Sequence, residues 1–339
     1  MSSNGTRETS TAPDVGPPTG APGSPGRTGD IVLVILLGII WGTAFPVIRA
    51  GLVAGAPPLF FAALRYLLTA TALVPIALAS RTERPTWAEL ASPAAFGGVL
   101  MIGAYGGLLY VGEVSTTGGL AAVLTASAPL VSALVGFRLL PTENFGRWGT
   151  AGLLVGFVGV AVLVLPGLVA PGSTGISGPV LVVLAVVAFA VGSVLLRKTS
   201  KATPGFWTLA VQFAVAGAIL ETASVALGER MSLGQGVTVP LTLAFLVVFP
   251  GILGYTLYFR IHHTSGPTLA NVVGYVNPAT GLLVGILVFG ENVTVLEIGG
   301  LVLIGLGLFF LPRDRGRKGP GDEREDDAEP PRSGRVPLG

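Results

Sequence analysis

The chain has 339 residues, of which 51% are hydrophobic and only 11% charged, far below the roughly 25% charged residues of soluble domains. Composition therefore puts it in a membrane. The absence of cysteine excludes disulfides and thiolate metal sites, and the net charge of +2 says less than where the charges lie.

Residues 1–30 are rich in Gly, Pro, Ser and Thr, a composition that cannot bury enough apolar surface to fold, so a disordered tail is expected. From Ile31 onward, apolar runs of about 20 residues recur, each long enough to cross a hydrocarbon core of about 30 Å. Length and turn signals predict ten spans, at 31–53, 57–79, 90–111, 117–139, 145–166, 176–197, 204–227, 239–260, 266–289 and 294–312. The expected fold class is an all-α integral membrane protein with ten transmembrane helices. "LVAGA" after the first run offers the small residues Ala54 and Ala56 of a signal-peptidase site. The run before it exceeds the usual h-region of about 7–15 residues, so it reads as a span. Connections such as "GAPP" and "PGLVAPGSTGISGP" leave no room for a soluble domain. The tail at 313–339 opens with "RDRGRK" and turns acidic at "DEREDDAE", which predicts a membrane-proximal basic anchor and then solvated chain.

Polar interruptions stand out in chain order. Span 1 carries Trp41, Pro46 and Arg49. Proline cannot donate to the carbonyl four residues back, so Pro46 frees Gly42, and a free carbonyl at membrane depth needs protein or cavity water to satisfy it. Arg49, one turn from the outer boundary, is expected to snorkel. Arg65 in span 2 is the deepest charge, at a cost of about 2.5–3.5 kcal/mol or more. It suits either a substrate carboxylate or phosphate, or a locking contact with Glu113 or a helix C-terminus. Tyr105, Gln212, Tyr255 and Tyr258 add aromatic and amide groups within spans. Glu297 aside, which opens span 10, Glu221 is the one carboxylate plausibly inside a span, toward its outer end. In span 9, Asn271, Gly274, Tyr275 and Pro278 share one helical face, with Asn277 beside them. The glycines Gly152, Gly156, Gly299, Gly300, Gly305 and Gly307 in spans 5 and 10 read as close helix packing.

Lys and Arg set the orientation. With the N-terminus cytoplasmic, Arg81, Arg84, Arg138, Arg147, Arg197, Lys198, Lys201, Arg260 and the run Arg313 to Lys318 all face inside. The opposite side keeps only Arg230 and, at a span end, Arg49, together with Glu113, Glu229, Glu291 and Glu297, so both termini are expected to be cytoplasmic.

An internal repeat organises the chain. "TGGLAAVLTASAPLVSALVG" (117–136) aligns with "SGPTLANVVGYVNPATGLLVG" (265–285), matching Ala121 to Ala270, Val123 to Val272 and Pro129 to Pro278. Nearby, Arg49 falls opposite Arg197, Tyr110 opposite Tyr258, and Glu143 opposite Glu291. Two five-span halves, 31–167 and 176–312, follow. Five crossings are odd, so the second half is expected to enter the membrane upside down, as in secondary transporters with a site at the midplane. The matched Pro129 and Pro278 fall mid-span, which makes spans 4 and 9, with span 1, the expected lining of that site.

No enzyme motif is present. His262 and His263 are adjacent and lack H-E-x-x-H spacing, and there is no G-x-S-x-G elbow or P-loop. No catalytic residue, cofactor or metal is expected.

"WGTAFPVIRAGL", "FFAALRYLLTA", "GGLAAVLTASAPLVSALVG" and "NPATGLLVGILVFGENVTVLEIGGLVLIGLGL" resemble the EamA-type transporters of the drug/metabolite transporter superfamily across residues 31–312. The resemblance implies two inverted five-helix bundles in the inner membrane, exporting amino acids, other metabolites or drugs, often by exchange with protons or another solute. Small four-helix relatives carry a coupling glutamate in their first span. This chain has no acid there, so their proton mechanism does not carry over.

The expected function is secondary active export of a small amino acid-like or drug-like metabolite by alternating access. The rivals are a passive facilitator or channel and, more remotely, an intramembrane lipid-modifying enzyme. The expected substrate-binding residues are Trp41, Pro46, Arg65, Tyr105, Pro129, Asn271, Tyr275, Asn277 and Pro278. Expected partners are the small-molecule substrate, the lipid bilayer and a coupling ion such as a proton, with no nucleic acid. The protein is expected in the cell membrane as a monomer or homodimer.

Overall fold

The computed structural model describes residues 28–80, 84–139, 147–169, 177–201, 205–230, 232–233, 236–261 and 273–310. Both tails, His262, His263, Glu143 and Asn271 lie outside these residues, as does the side chain of Tyr275. All regular structure among the described residues is helical. That is the expected result for apolar segments of this length, because lipid offers no partner for backbone groups left unpaired by their own segment. Eight described helices are long and apolar enough to cross a membrane, and two shorter apolar ones, Val276–Phe289 and Val295–Phe310, follow.

The first half contains α1 (Thr28–Val53), α2 (Pro58–Ala79), α3 (Trp87–Ser92), α4 (Tyr105–Glu113), α5 (Gly118–Thr125), α6 (Ala128–Leu139) and α7 (Arg147–Val169). The second contains α8 (Gly178–Thr199), α9 (Phe206–Ala226), α10 (Thr238–Leu246), α11 (254–261), α12 (Val273–Phe289) and α13 (Val295–Phe310). Between α1 and α2 the chain reverses through Gly55, whose φ of 95° suits a residue without a Cβ. Pro58 then opens α2, where its missing N–H costs nothing.

Two spans are not plain α-helices. A π-helical segment, Pro93–Ala104, joins α3 to α4, and another, Val247–Leu253, joins α10 to α11. In the register that pairs Tyr110 with Tyr258, residues 99–104 fall on 247–252, so the wide turns occupy matching places in the two halves. Pro250, inside the second, removes a donor that a continuous α-helix needs. Span 4 is broken outright, with α5 and α6 separated by a turn at Ala126 and Ser127. Pro129 therefore sits in the first turn of α6, where a proline is tolerated.

The principal packing partners respect the repeat. The pairs α2 with α9, α5 with α12, and α7 with α13 join equivalent spans of the two halves, while α1 with α12 is matched by α8 with α6. One continuous apolar core runs through both halves. The α7–α13 crossing is made by glycine. A Cβ on Gly307 would lie 2.6 Å from the Gly152 carbonyl, and one on Gly159 would lie 2.9 Å from that of Gly300. Gly156 lies against Gly307 in the same crossing. Gly299 and Gly305, expected there too, face open space.

Helix ends meet at two levels. At one, Arg49 near the end of α1 donates to the carbonyls of Glu113 and Val114, each at 2.7 Å, at the end of α4. Gly178, at the start of α8, abuts Ser115 and Thr116 there. At the other level, Ser92 meets Thr199 at the end of α8 at 2.5 Å, and Lys198 donates to the Leu139 carbonyl at 3.3 Å.

Candidate functional site

Arg65 on α2 lies inside the helix bundle, and one terminal nitrogen donates to the Tyr110 hydroxyl on α4 at 2.9 Å. Its guanidinium sits 5.4 Å from the centre of the Tyr66 ring, within range of a cation–π attraction. Its Nε is enclosed and has no acceptor in the protein. Glu113 is not among its hydrogen-bond partners: the α4 C-terminus is held by Arg49 instead, which caps two of its carbonyls.

From Tyr66, beside this arginine, a series of aromatic rings runs into both halves. Tyr66 contacts Phe213 of α9 at 5.4 Å, Phe213 contacts Tyr255 at 5.5 Å, and Tyr255 contacts Trp41 of α1 at 5.3 Å. Trp41 also lies 5.7 Å from Tyr258, and its indole N–H donates to the Pro250 carbonyl at 3.1 Å. The second π-helical segment thus offers a carbonyl to span 1. Tyr66 fits because its hydroxyl end abuts Gly106, and Gly97 leaves room for the buried Gln212 amide. Tyr105 points to α8 and contacts Phe189 at 5.6 Å.

The proline-bearing spans meet one another. Gly38 and Gly42 of α1 cross α12 against Val276, Asn277 and Thr280. The Gly42 carbonyl freed by Pro46 faces Gly281, whose Cβ would lie 3.2 Å away. Pro46 is itself buried against Gly118 of α5, which brings it into a packed helix crossing. With its amide oriented to satisfy both groups, Asn277 donates to the carbonyls of Gly38 at 3.0 Å and Val273 at 3.1 Å. Pro278 is buried and Pro129 is exposed. Trp41 and Arg65 therefore share the aromatic cluster, whereas Asn277 belongs to the α1–α12 crossing and Pro46 to the contact between α1 and α5.

Two carboxylates that the sequence places only on the outer side do more. Glu291, after α12, accepts from the backbone N–H groups of Gly118 and Gly119, both at 2.8 Å, at the start of α5. Glu229, after α9, accepts from Leu59 at 3.2 Å and Phe60 at 2.8 Å at the start of α2, and Ser224 donates to it at 2.9 Å. Helix N-termini expose unpaired donors and positive dipole ends, which such acids satisfy. No local spacing announces these contacts, because each helix start lies far away along the chain.

The EamA-like transporter family model matches the chain twice, at residues 29–165 and 176–312. The chain belongs to the EamA-like transporter family. Its domain is duplicated, and most of its relatives are named as transporters. The "Uncharacterized inner membrane transporter YedA" of Escherichia coli strain K12 is 28% identical over 81% of this chain and 90% of the relative. The "Uncharacterized transporter YdfC" of Bacillus subtilis is 29% identical over 78% and 85%. The "Probable amino-acid metabolite efflux pump" of Salmonella typhimurium is 27% identical over 83% and 94%. One solved crystal structure, 20% identical, superposes with a TM-score of 0.57 over 85% of this chain and 98% of that one, a likeness of fold. This EamA protein is thus a multi-pass membrane transporter.

Proposed function

We propose that this protein is a secondary transporter that exports a small amino acid-like or drug-like metabolite by alternating access between two inverted halves, with Arg65 meeting the substrate's acidic group. The observation that carries this reading is Arg65 itself, half-buried with its Nε enclosed and lacking an acceptor, beside Tyr66, from which a series of rings reaches Phe213 and Tyr255 of the second half. A guanidinium fork matches the paired oxygens of carboxylates and phosphates, and apolar walls with few polar groups suit a small organic solute. The inverted arrangement is supported by the end of α1 and the start of α8 meeting at one level. The excess of Lys and Arg in alternate loops favours cytoplasmic termini. The name of the Salmonella relative favours amino acid-like cargo.

Counterflow in proteoliposomes tests the mechanism. Radiolabelled amino acids should enter faster when unlabelled amino acid is loaded inside, while flux that never saturates would support a pore. Arg65→Leu should weaken uptake of anionic probes about 10- to 100-fold, the loss expected for a charged hydrogen bond of about 1.5–3 kcal/mol. Arg65→Lys should restore part of it. Equal loss for cationic and anionic probes would remove Arg65 from substrate recognition.

A further inference from the structure

Glu113 is 0% exposed, yet neither carboxylate oxygen has a hydrogen-bond partner in the protein. The other outer-level acids differ. Glu229 and Glu291 each cap two backbone N–H groups, and Glu297 accepts from the Thr294 N–H at 3.3 Å. Two arginines flank Glu113 but are bonded elsewhere: Arg49 to backbone carbonyls, Arg65 to Tyr110. The hydroxyls of Thr116 and Ser177, also enclosed and without partners, lie at the same α4–α8 junction, where Gly178 abuts Thr116. A carboxylate enclosed without a donor is costly, by several kcal/mol, so the junction is built for something that supplies one.

We propose that the Glu113 carboxyl is the site where a coupling proton binds. A proton needs only one acceptor oxygen, and among the described residues no group of three His or acidic side chains could hold a metal ion. Proton transfer from hydronium breaks one of its O–H bonds, forms the carboxyl O–H bond and releases water; it removes the charge and turns an acceptor without a donor into a donor for neighbouring oxygens. The charged and titratable groups facing Glu113 are Arg49 from α1, Arg65 and Tyr66 from α2, Glu291 from the α12–α13 connection, and Tyr105 and Tyr110 of its own span. Helix α5 carries no titratable side chain, and α8 has them only in its last turn, at the far level.

This inference rests on the transport reading and deepens it. Tyr110 and Glu113 are one turn apart on α4, so they share a face. Protonating Glu113 removes the anion that competes for Arg65, so an acidic substrate and the proton favour each other's binding. An outward metabolite gradient would then carry both together.

Infrared difference spectra of the full-length reconstituted protein, titrated with pH, test the site without any flux. The wild type should show the carbonyl stretch of a protonated enclosed carboxyl. Glu113→Gln should abolish that band, Glu113→Asp should shift it, and Glu221→Gln should leave it. Exchanging choline chloride for sodium chloride at fixed pH should leave it unchanged. A band that persists in Glu113→Gln overturns the proposal, and so does one that sodium erases, which would make this a sodium site. If the Gln variant does not fold, the Asp variant decides, since an unshifted band places the proton elsewhere. The spectrum and the counterflow assay fail separately: a Glu113 band without exchange would sink the transport reading, and exchange without the band would sink only the proton site.

Discussion

Replacing Glu291 by alanine strips the start of α5 of both its acceptors. The backbone N–H groups of Gly118 and Gly119, each bonded at 2.8 Å, are then left bare in a buried setting between the halves. Hydrogen bonds to charged groups contribute about 1.5–3 kcal/mol each. Taking the lower figure, because water can reach part of the newly opened space, the pair contributes about 3 kcal/mol. At roughly 2–4 °C per kcal/mol for a domain of 150–250 residues, the melting temperature should fall by about 6–12 °C. Thermal challenge of detergent-solubilised protein, followed by size-exclusion chromatography, reads this directly. Glu291→Gln keeps one carbonyl acceptor without the charge and should lower the melting temperature about half as much. A Glu291→Ala protein melting within about 2 °C of wild type would refute the reasoning, because two buried donors would then have found replacement partners at no cost.

Two further outcomes follow from helix contacts. Gly307→Ala should lower the melting temperature by several degrees, since its Cβ would meet the Gly152 carbonyl at 2.6 Å and Gly156 backbone at 2.7 Å. Gly305→Ala two residues away meets nothing and should be neutral or stabilising by up to about 1 kcal/mol. Trp41→Phe removes the indole donor to the Pro250 carbonyl and should cost about 1 kcal/mol. Its tryptophan-fluorescence difference spectrum against wild type should resemble that of an enclosed indole, and an exposed-indole signature would contradict the assigned contact.

The spans are legible in the sequence because hydropathy acts along a contiguous stretch. The run expected at 57–79 is helical at Pro58–Ala79, and that expected at 239–260 forms the apolar span Thr238–Ile261. The duplication is legible too, since 29–165 and 176–312 each match the same family. The π-helical segments are not, because apolar residues on every face of a span leave no periodicity to distinguish a wide turn from an α turn. Arg65 is recognisable as a buried charge, but its choice of Tyr110 over Glu113 depends on packing between α2 and α4. The acids are harder still. Glu229 and Glu291 read as outer-side charges, and only the fold brings them to helix starts far away in sequence. Tyr66 and Phe213 read as ordinary span residues, although an aromatic next to a buried arginine is a usable signal.

The paired acidic caps bind the two halves together at one rim. There, acids from the second half clasp bare helix starts of the first through four backbone N–H groups. At the opposite rim, the described bonds between the halves include the exposed pair Ser92–Thr199 and a single lysine on a carbonyl. Prising the halves apart at the clasped rim means rehydrating four main-chain donors at once, whereas water readily replaces the exposed Ser92–Thr199 and Lys198–Leu139 pairs. By its acidic caps, the clasped rim is bolted through main-chain donors that give way only together.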